Sequence, residues 1–512
     1  MKSGILVYDI GTTSVKSALF TGTGALAGSV SKPYKTEYPQ PGWAEQDPDL
    51  FWEAAVLGTR ELLASPEAAG ISVEVIGLTG HMNGCLPVDA RGQPTHRELI
   101  HSDSRSTVQC DRVRSLLGED AVYRKTGNPA DEHLSLSKFL WLKDEQRDAY
   151  NKTAWVINSK DYVRFKLTGI LGTTDFSDAS LTGMLDLAGR TWAWDMIDAL
   201  GLRRECFPTI RSSIEREGGL SGEAAEILGL PAGIPVSYGG GDGSCATRGA
   251  GVTGPGEAYV SVGSSAWTSM LAPEPRFDPL RRMQNFFDLD GHSCNVCGTT
   301  QTAGIAVDWA LGLLFADISD TPEQYRAIEK SLEDIPIGSE GVMFLPYLMG
   351  ERTPHWDAAA RGVFVGLSLA GNRQTLLRAV YEGVSFAIGE IVDIYADLSM
   401  PIKTFTLLGG GIRSPFWRTL ICDIAGIPMR VHPFPTHAIS LGAAMAAGVS
   451  VGLWKDLEEA VAQINGFEQI EPDLKKTGQY KRFFSIYKGI YRNIKPIFNE
   501  LKSAGTDSIP KT

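Results

Sequence analysis

The chain has 512 residues, more than a single core of ~100–200 residues uses, so two large domains or three smaller ones are expected. Hydrophobic residues make up 43% and charged residues 21%, a globular balance that excludes disorder as the default state. The net charge is −12 and no Lys/Arg-rich run occurs, which argues against a nucleic-acid binder; any phosphate must be met by local backbone N–H groups or by a cation.

Residues 5–10 form a short apolar run with β-branched members and read as a buried strand ending in a tight turn at Gly11. Residues 14–20 resume with alternation, and Gly22-Thr23-Gly24 marks the next turn, so the chain opens with a β-hairpin whose turn holds Asp9-Ile10-Gly11-Thr12-Thr13. An acid appears before any signal-length apolar run, which predicts a soluble, cytoplasmic protein. Residues 49–63 have helical spacing, 73–78 are strand-like, 134–142 helical, 154–157 strand-like and 161–167 helical. This alternation predicts the α/β class. Glycine-rich turns return at residues 236–243. The strand Glu257–Val262 then runs into Gly263-Ser264-Ser265, echoing the N-terminal strand and turn. The echo predicts two domains with a boundary near residue 250 and a frayed tail from about residue 501 to 512. A third strand, Thr404–Leu408, meets Gly409-Gly410-Gly411, with a helix over 415–425 behind it. A small-residue helix over 440–447 permits close backbone approach, and the apolar stretch 439–454 is too short and interrupted to span a membrane. The seven cysteines are scattered and odd in number, which predicts a reducing compartment and buried, inert thiols, Cys294-Asn295-Val296-Cys297 included.

Four turns carry the chemistry. In Asp9-Ile10-Gly11-Thr12-Thr13, glycine lets backbone N–H groups approach a phosphate and the hydroxyls add donors. Asp9 inside an apolar strand needs a donor, a water network or a metal, and beside such a turn it suggests Mg²⁺ held through water; a capped acid in a β-turn is the bland alternative. In Gly239-Gly240-Gly241-Asp242-Gly243 one carboxylate stands on bare backbone, which a ligand can approach closely. A carboxylate so placed can accept the proton of an attacking hydroxyl. Val262-Gly263-Ser264-Ser265 is suited to hold terminal phosphates from the other side of a cleft. Gly409-Gly410-Gly411-Ile412-Arg413-Ser414 is suited to adenine and ribose lying on bare backbone. Asp103 and Arg105 read equally as a substrate-binding pair and as an exposed ion pair. No Walker A, protein-kinase, Rossmann or zinc-protease pattern is present.

These blocks resemble the FGGY carbohydrate kinases. Further matches lie at Gly42-Trp43-Ala44-Glu45-Gln46, Lys138-Phe139-Leu140-Trp141, Lys160-Asp161-Tyr162, Ser177-Asp178-Ala179-Ser180, Gly350-Glu351-Arg352-Thr353-Pro354, Glu382-Gly383 and Leu441-Gly442-Ala443-Ala444. The resemblance covers about residues 4–450. It implies two actin-like domains of the ribonuclease H-like, hexokinase and Hsp70 ATPase superfamily with a cleft between them. Residues 1–250 would carry the sugar site and 251–500 the ATP site. It implies Asp242 as the base and a sugar pocket of His81, Met82, Asn83, Asp103 and Asp242. Mg-ATP contacts are implied at Asp9, Gly11, Thr12, Thr13, Gly263, Ser264, Gly409, Gly410 and Ser414. The pattern is most similar to the family's xylulokinases, which implies transfer to a small ketose, D-xylulose first. L-xylulose, ribulose, gluconate and erythritol stay open, as does a homodimer. Those kinases usually carry Gln-Met-His-Gly where this chain has His81-Met82-Asn83-Gly84, and Trp-Asn-Asp-x-Arg where it has His101-Ser102-Asp103-Ser104-Arg105; Gly243 replaces their common Asn. Each change moves a hydrogen-bonding group near the expected sugar, which is how such a site changes substrate. The rival readings are a non-catalytic actin-like sugar sensor and an Hsp70-type ATPase; the DNA-binding extension of the one and the peptide-binding domain of the other are not seen.

Overall fold

A computed structural model describes residues 2–317 and 321–507. The chain forms two compact units, the first comprising Met1–Gly254, Leu271–Val296 and His437–Asn465, the second Pro255–Met270, Cys297–Thr436 and Gly466–Thr512. The first passage of the chain from one unit to the other falls at Gly254, beside the expected 250. Two later segments return to the first unit without any local signal announcing them. The expected tail begins inside the last helix, Leu474–Asp507, and its final residues, 508–512, lie outside the described residues.

In the first unit the buried strand Lys2–Ile10 is central. It pairs antiparallel with Ser14–Thr21, which pairs antiparallel with Leu26–Pro33. On its other side it pairs parallel with Ile71–Gly80. The helix Asp49–Leu63 covers one face with Phe51, Ala54, Ala55 and Leu62, and Tyr8 and Thr59 share a buried hydrogen bond at 2.8 Å. The helix Ala438–Ser450 covers the other face, packing Leu441, Ala443, Ala444 and Met445 with Ile5, Val7, Ala18 and Phe20. This is the apolar stretch noted in the sequence; among the described residues no helix is long and apolar enough to cross a membrane.

Small residues let this helix come very close to its neighbours. A Cβ at Gly77 would lie 2.8 Å from the Ala443 carbonyl oxygen. One at Gly442 would overlap the Cys245 carbonyl, and one at Gly249 the Ala438 carbonyl. The helices Asp242–Gly249 and Ala438–Ser450 therefore cross backbone to backbone. Gly442→Ala is expected to lower unfolding free energy by about 1–3 kcal/mol or more through overpacking. Gly478→Ala, with nothing within 4 Å and a position inside a helix, is expected to be neutral or slightly stabilising. Urea midpoints of the two variants check this.

The second unit repeats the opening arrangement. Glu257–Val262 pairs antiparallel with Ala266–Ala272 and parallel with Thr404–Leu408, which pairs parallel with Met429–Val431. The helix Arg373–Asp397 is buried along most of its length, and its N-cap Asn372 accepts from the Thr375 N–H. All seven cysteines are free and buried, as expected, and burial pushes the Cys294 thiol up to about 12.

Candidate active site

In the first unit, three parallel strands end side by side. Asp9 and Ile10 pair with Thr79 and Gly80, which pair in turn with Gly240 and Gly241. The turn from Gly11 to Thr13, the loop from His81 to Asn83, and Asp242 are thus neighbours, at the C-terminal strand ends where α/β sheets place ligands. The Gly11 N–H donates to the Ser14 carbonyl at 3.0 Å. Gln46 Nε2 donates to the Thr12 carbonyl at 2.5 Å, and the Tyr34 hydroxyl donates to the Gly11 carbonyl. Thr13 is exposed, and Gly11 and Thr12 are half-buried. Asp9 is nearly buried. The Ser440 hydroxyl donates to its Oδ2 at 2.9 Å and Lys16 Nζ lies 3.7 Å away.

Asp242 is the first residue of the helix Asp242–Gly249 and keeps a partial opening to solvent. Burial, and after it the charge of Asp9, push its carboxyl up to about 6, against the pull of His81 and of the N–H groups at the helix start. Such a group is ionised at neutral pH yet holds a proton more tightly than an ordinary carboxylate, which suits a general base. The base acts deprotonated, so kcat/KM is expected to fall about tenfold per pH unit below about pH 6. A pH–rate profile tests this; a profile flat to pH 4.5 would contradict it.

The glycines around Asp242 are also required by packing. Gly239 has φ +68°, and a Cβ there would overlap the Leu78 carbonyl. A Cβ on Gly241 would lie 2.5 Å from Met82 Cγ, and one on Gly243 would lie 3.0 Å from Phe286 Cζ. On the Cβ side of these glycines the space is filled by the protein's own atoms. Met82 and Phe286 wedge the loop, and Gly243 stands where an Asn side chain would meet Phe286.

His81 is buried. Its Nδ1 lies 3.3 Å from the Ile10 carbonyl and its Nε2 3.3 Å from Glu98 Oε1, so both nitrogens face acceptors. Burial pulls the imidazole down, but Glu98, with Asp242 and the Ile10 carbonyl, outweighs it and holds the ring above its ordinary value. His81 therefore stands beside Asp242 with both ring nitrogens engaged by protein acceptors, an arrangement that favours its protonated form. Asn83 has φ +64°, and its Oδ1 is buried without a hydrogen-bond partner among the described residues. Its carbonyl accepts from Lys138 Nζ at 2.8 Å; the same ammonium donates to the carbonyls of Ile100 and His133, both at 2.7 Å. Burial lowers Lys138 to about 8.

Asp103 and Arg105 are not an exposed pair. Asp103 is 0% exposed, and it accepts from Arg105 Nη2 at 2.7 Å and from the Ala44 N–H at 2.6 Å. The guanidinium also meets Glu45 at 2.7 Å and lies 3.7 Å from the Trp43 ring centroid and 4.7 Å from that of Trp141. Both carboxylate oxygens of Asp103 are engaged by Arg105 and the Ala44 N–H.

In the second unit the other two turns stand together, because Ser261 pairs with Leu408. The Gly263 carbonyl accepts from the Gly304 N–H at 2.8 Å, and the Ser264 carbonyl from the Ala303 N–H at 2.7 Å. Gly409 has φ +91°, and a Cβ there would overlap the Val262 carbonyl. Gly410 has nothing within 4 Å and is open to a ligand. The Ser414 hydroxyl accepts from the Trp417 N–H at 3.0 Å and caps the following helix.

Spacing alone did not point to Ser440 on Asp9, Glu98 on His81, or Lys138 under Asn83. The only available signal was an ionisable or hydroxyl residue inside an otherwise apolar segment.

A partly open carboxylate at strand ends, with glycine turns at the strand ends of a second unit of the same plan, is the arrangement a phosphotransferase acting on a small molecule requires. The model of the FGGY carbohydrate kinase N-terminal domain matches residues 4–249, and that of the C-terminal domain matches residues 258–451. The chain belongs to the FGGY family of carbohydrate kinases and is an ATP-dependent phosphotransferase. It is 30% identical over 508 residues to the xylulose kinase of Bacillus subtilis, covering 98% of this chain and 99% of that one. Among solved structures it is similar to ligand-bound xylulose kinase from Lactobacillus acidophilus, with a TM-score of 0.89, 27% identity, and coverage of 98% of this chain and 100% of that one. Gluconate kinase from the same organism superposes with a TM-score of 0.90 at 26% identity, with coverage of 98% and 100%.

Proposed function

We propose that this chain transfers the terminal phosphoryl group of ATP to D-xylulose, giving D-xylulose 5-phosphate, with Asp242 as the base. The observation that carries the reading is Asp242 itself: a carboxylate at the strand ends, raised to about 6, next to the loop that carries His81 and the unpartnered Asn83 Oδ1. Asn83 Oδ1 accepts a sugar hydroxyl, Asp242 takes the proton of the attacking one, and His81 keeps Asp242 ionised until it does. Gly11, Thr12 and Thr13 meet phosphate from the first unit. Gly263, Ser264, Gly409 and Gly410 belong to the nucleotide site of the second, and Ser414 shapes it by starting the helix behind it.

Mg²⁺ takes one or two carboxylates and completes its shell with phosphate and water. Asp9, nearly buried and hydrogen-bonded by a single hydroxyl, fits that role, and the ion would offset charge on the transferring group. The seven free thiols fit a reducing compartment, and the cytoplasm is the proposed location.

A second reading is favoured by one feature. His81, held above its ordinary value by Glu98, stands where xylulokinases usually carry Gln, and its protonated form would suit an anionic acceptor such as gluconate. ADP release measured over D-xylulose, L-xylulose, ribulose, gluconate and erythritol separates the two. The highest kcat/KM is expected with D-xylulose, and a clear preference for gluconate would replace that assignment.

A further inference from the structure

We infer that Ser177 is a positioning residue for Asp242, gripping the peptide just before it from a fixed anchor in the core. The inference rests on the reading of Asp242 as the base. The anchor is a buried cluster that the proposed reaction does not use. Lys160 Nζ lies 2.7 Å from Asp161, 2.8 Å from Asp175 and 3.1 Å from Asp178, and all four side chains are at most 1% exposed. One ammonium among three carboxylates leaves Asp175 little freedom to turn.

The other oxygen of Asp175, Oδ2, accepts from the Ser177 N–H at 2.8 Å and from the Ser213 hydroxyl at 2.7 Å; the Ser177 hydroxyl also donates to it. The Ser177 hydroxyl in turn accepts from the Gly241 N–H at 2.9 Å. A carboxylate only accepts and an amide N–H only donates, so the hydroxyl has one possible orientation. The path runs from the Lys160–Asp175 ion pair through Asp175 Oδ2 and the Ser177 hydroxyl to the residue before Asp242, and it is buried throughout.

Other side chains also hold the loop: the Cys245 thiol donates to the Gly240 carbonyl at 3.5 Å, and Met82 and Phe286 pack against Gly241 and Gly243; Ser177 is the one that takes the Gly241 N–H. Gly240 and Gly241 carry no side chains, and a Cβ at Gly240 would overlap Leu289 and lie 3.0 Å from Ser177 Oγ. Together with those contacts and the short pairing with Thr79 and Gly80, the bond from Gly241 to Ser177 fixes the peptide from which Asp242 leaves the strand. Small misplacements of a catalytic group matter: an error of about 1 Å can cost about 10²-fold in rate.

The test is a mutant cycle on the full chain, with turnover normalised to folded protein. Ser177→Ala is expected to lower kcat by about 10–100-fold with sugar KM within about threefold of wild type, because orientation is lost and binding is kept. Ser177→Thr, which retains the hydroxyl, is expected to restore most of the loss. Ser213→Ala, which removes a donor from the same Asp175 oxygen without touching Gly241, should leave kcat within about threefold. In the Asp242→Asn background, adding Ser177→Ala should cost nothing further.

Wild-type kcat in Ser177→Ala, or an undiminished loss in the Asp242→Asn background, overturns the inference and leaves the base assignment standing. High turnover in Asp242→Asn overturns both. Should Ser177→Ala fail to fold, Ser177→Cys carries the same test, since a thiol accepts hydrogen bonds poorly.

Discussion

Asp242→Asn is expected to lower kcat by about 10²–10⁴-fold while the KM for sugar changes little, the range for loss of a general base. The amide has nearly the same shape, so the loop wedged by Met82 and Phe286 keeps its place. An amide oxygen can accept a hydrogen bond from the attacking hydroxyl but cannot take its proton at neutral pH. The substitution also removes a charge beside His81, whose elevation comes first from Glu98 and only then from Asp242, so the main cause of that elevation remains. Stopped-flow measurement of ADP formation with saturating sugar and ATP reads the effect directly. A variant within tenfold of wild type would remove Asp242 from the mechanism and leave the fold intact as an explanation of sugar binding alone.

The second large effect concerns stability. Arg105→Met is expected to lower the unfolding free energy by about 3–5 kcal/mol, because it strands a charge in the interior. Asp103 is fully buried, and Arg105, 1% exposed, is its cation. Glu45 loses the same partner, and Trp43 and Trp141 lose the planar group against which they pack. Replacing both members, Asp103→Asn with Arg105→Met, is expected to recover part of the loss, since no charge is then left unpaired. Urea unfolding of the single and double variants measures this. Equal destabilisation by the two would show that the stacking of Arg105 on the tryptophans, and not its charge, is what matters.

Local pattern carried the secondary structure far. The strands Glu257–Val262 and Thr404–Leu408 and the helix Asp49–Leu63 lie where apolar periodicity and turn residues place them. The hairpin that opens each unit was visible as a repeated order of strand, glycine and hydroxyl. The family also shows in the sequence, because ordered blocks of glycine and acid reflect backbone conformation and charge, which neighbouring residues alone dictate.

The rest depended on residues far apart in the chain. Ser440 reaches Asp9 across 431 positions, and the segment that carries it rejoins the first unit after most of the second has been built. Gly241 and Gly243 read as openings for a ligand, yet Met82 and Phe286 fill them. Asp103 and Arg105 read equally as a substrate-binding pair and as an exposed ion pair, yet the pair is buried, with Asp103 held by Arg105 and the Ala44 N–H and Arg105 packed on Trp43 and Trp141. Composition and spacing determine which groups a chain possesses and the conformations its backbone favours. Whether a glycine admits a ligand or a neighbour, and whether a carboxylate is a base or a brace, depends on which distant atoms take the space and share the proton. Only close packing of the whole chain decides that.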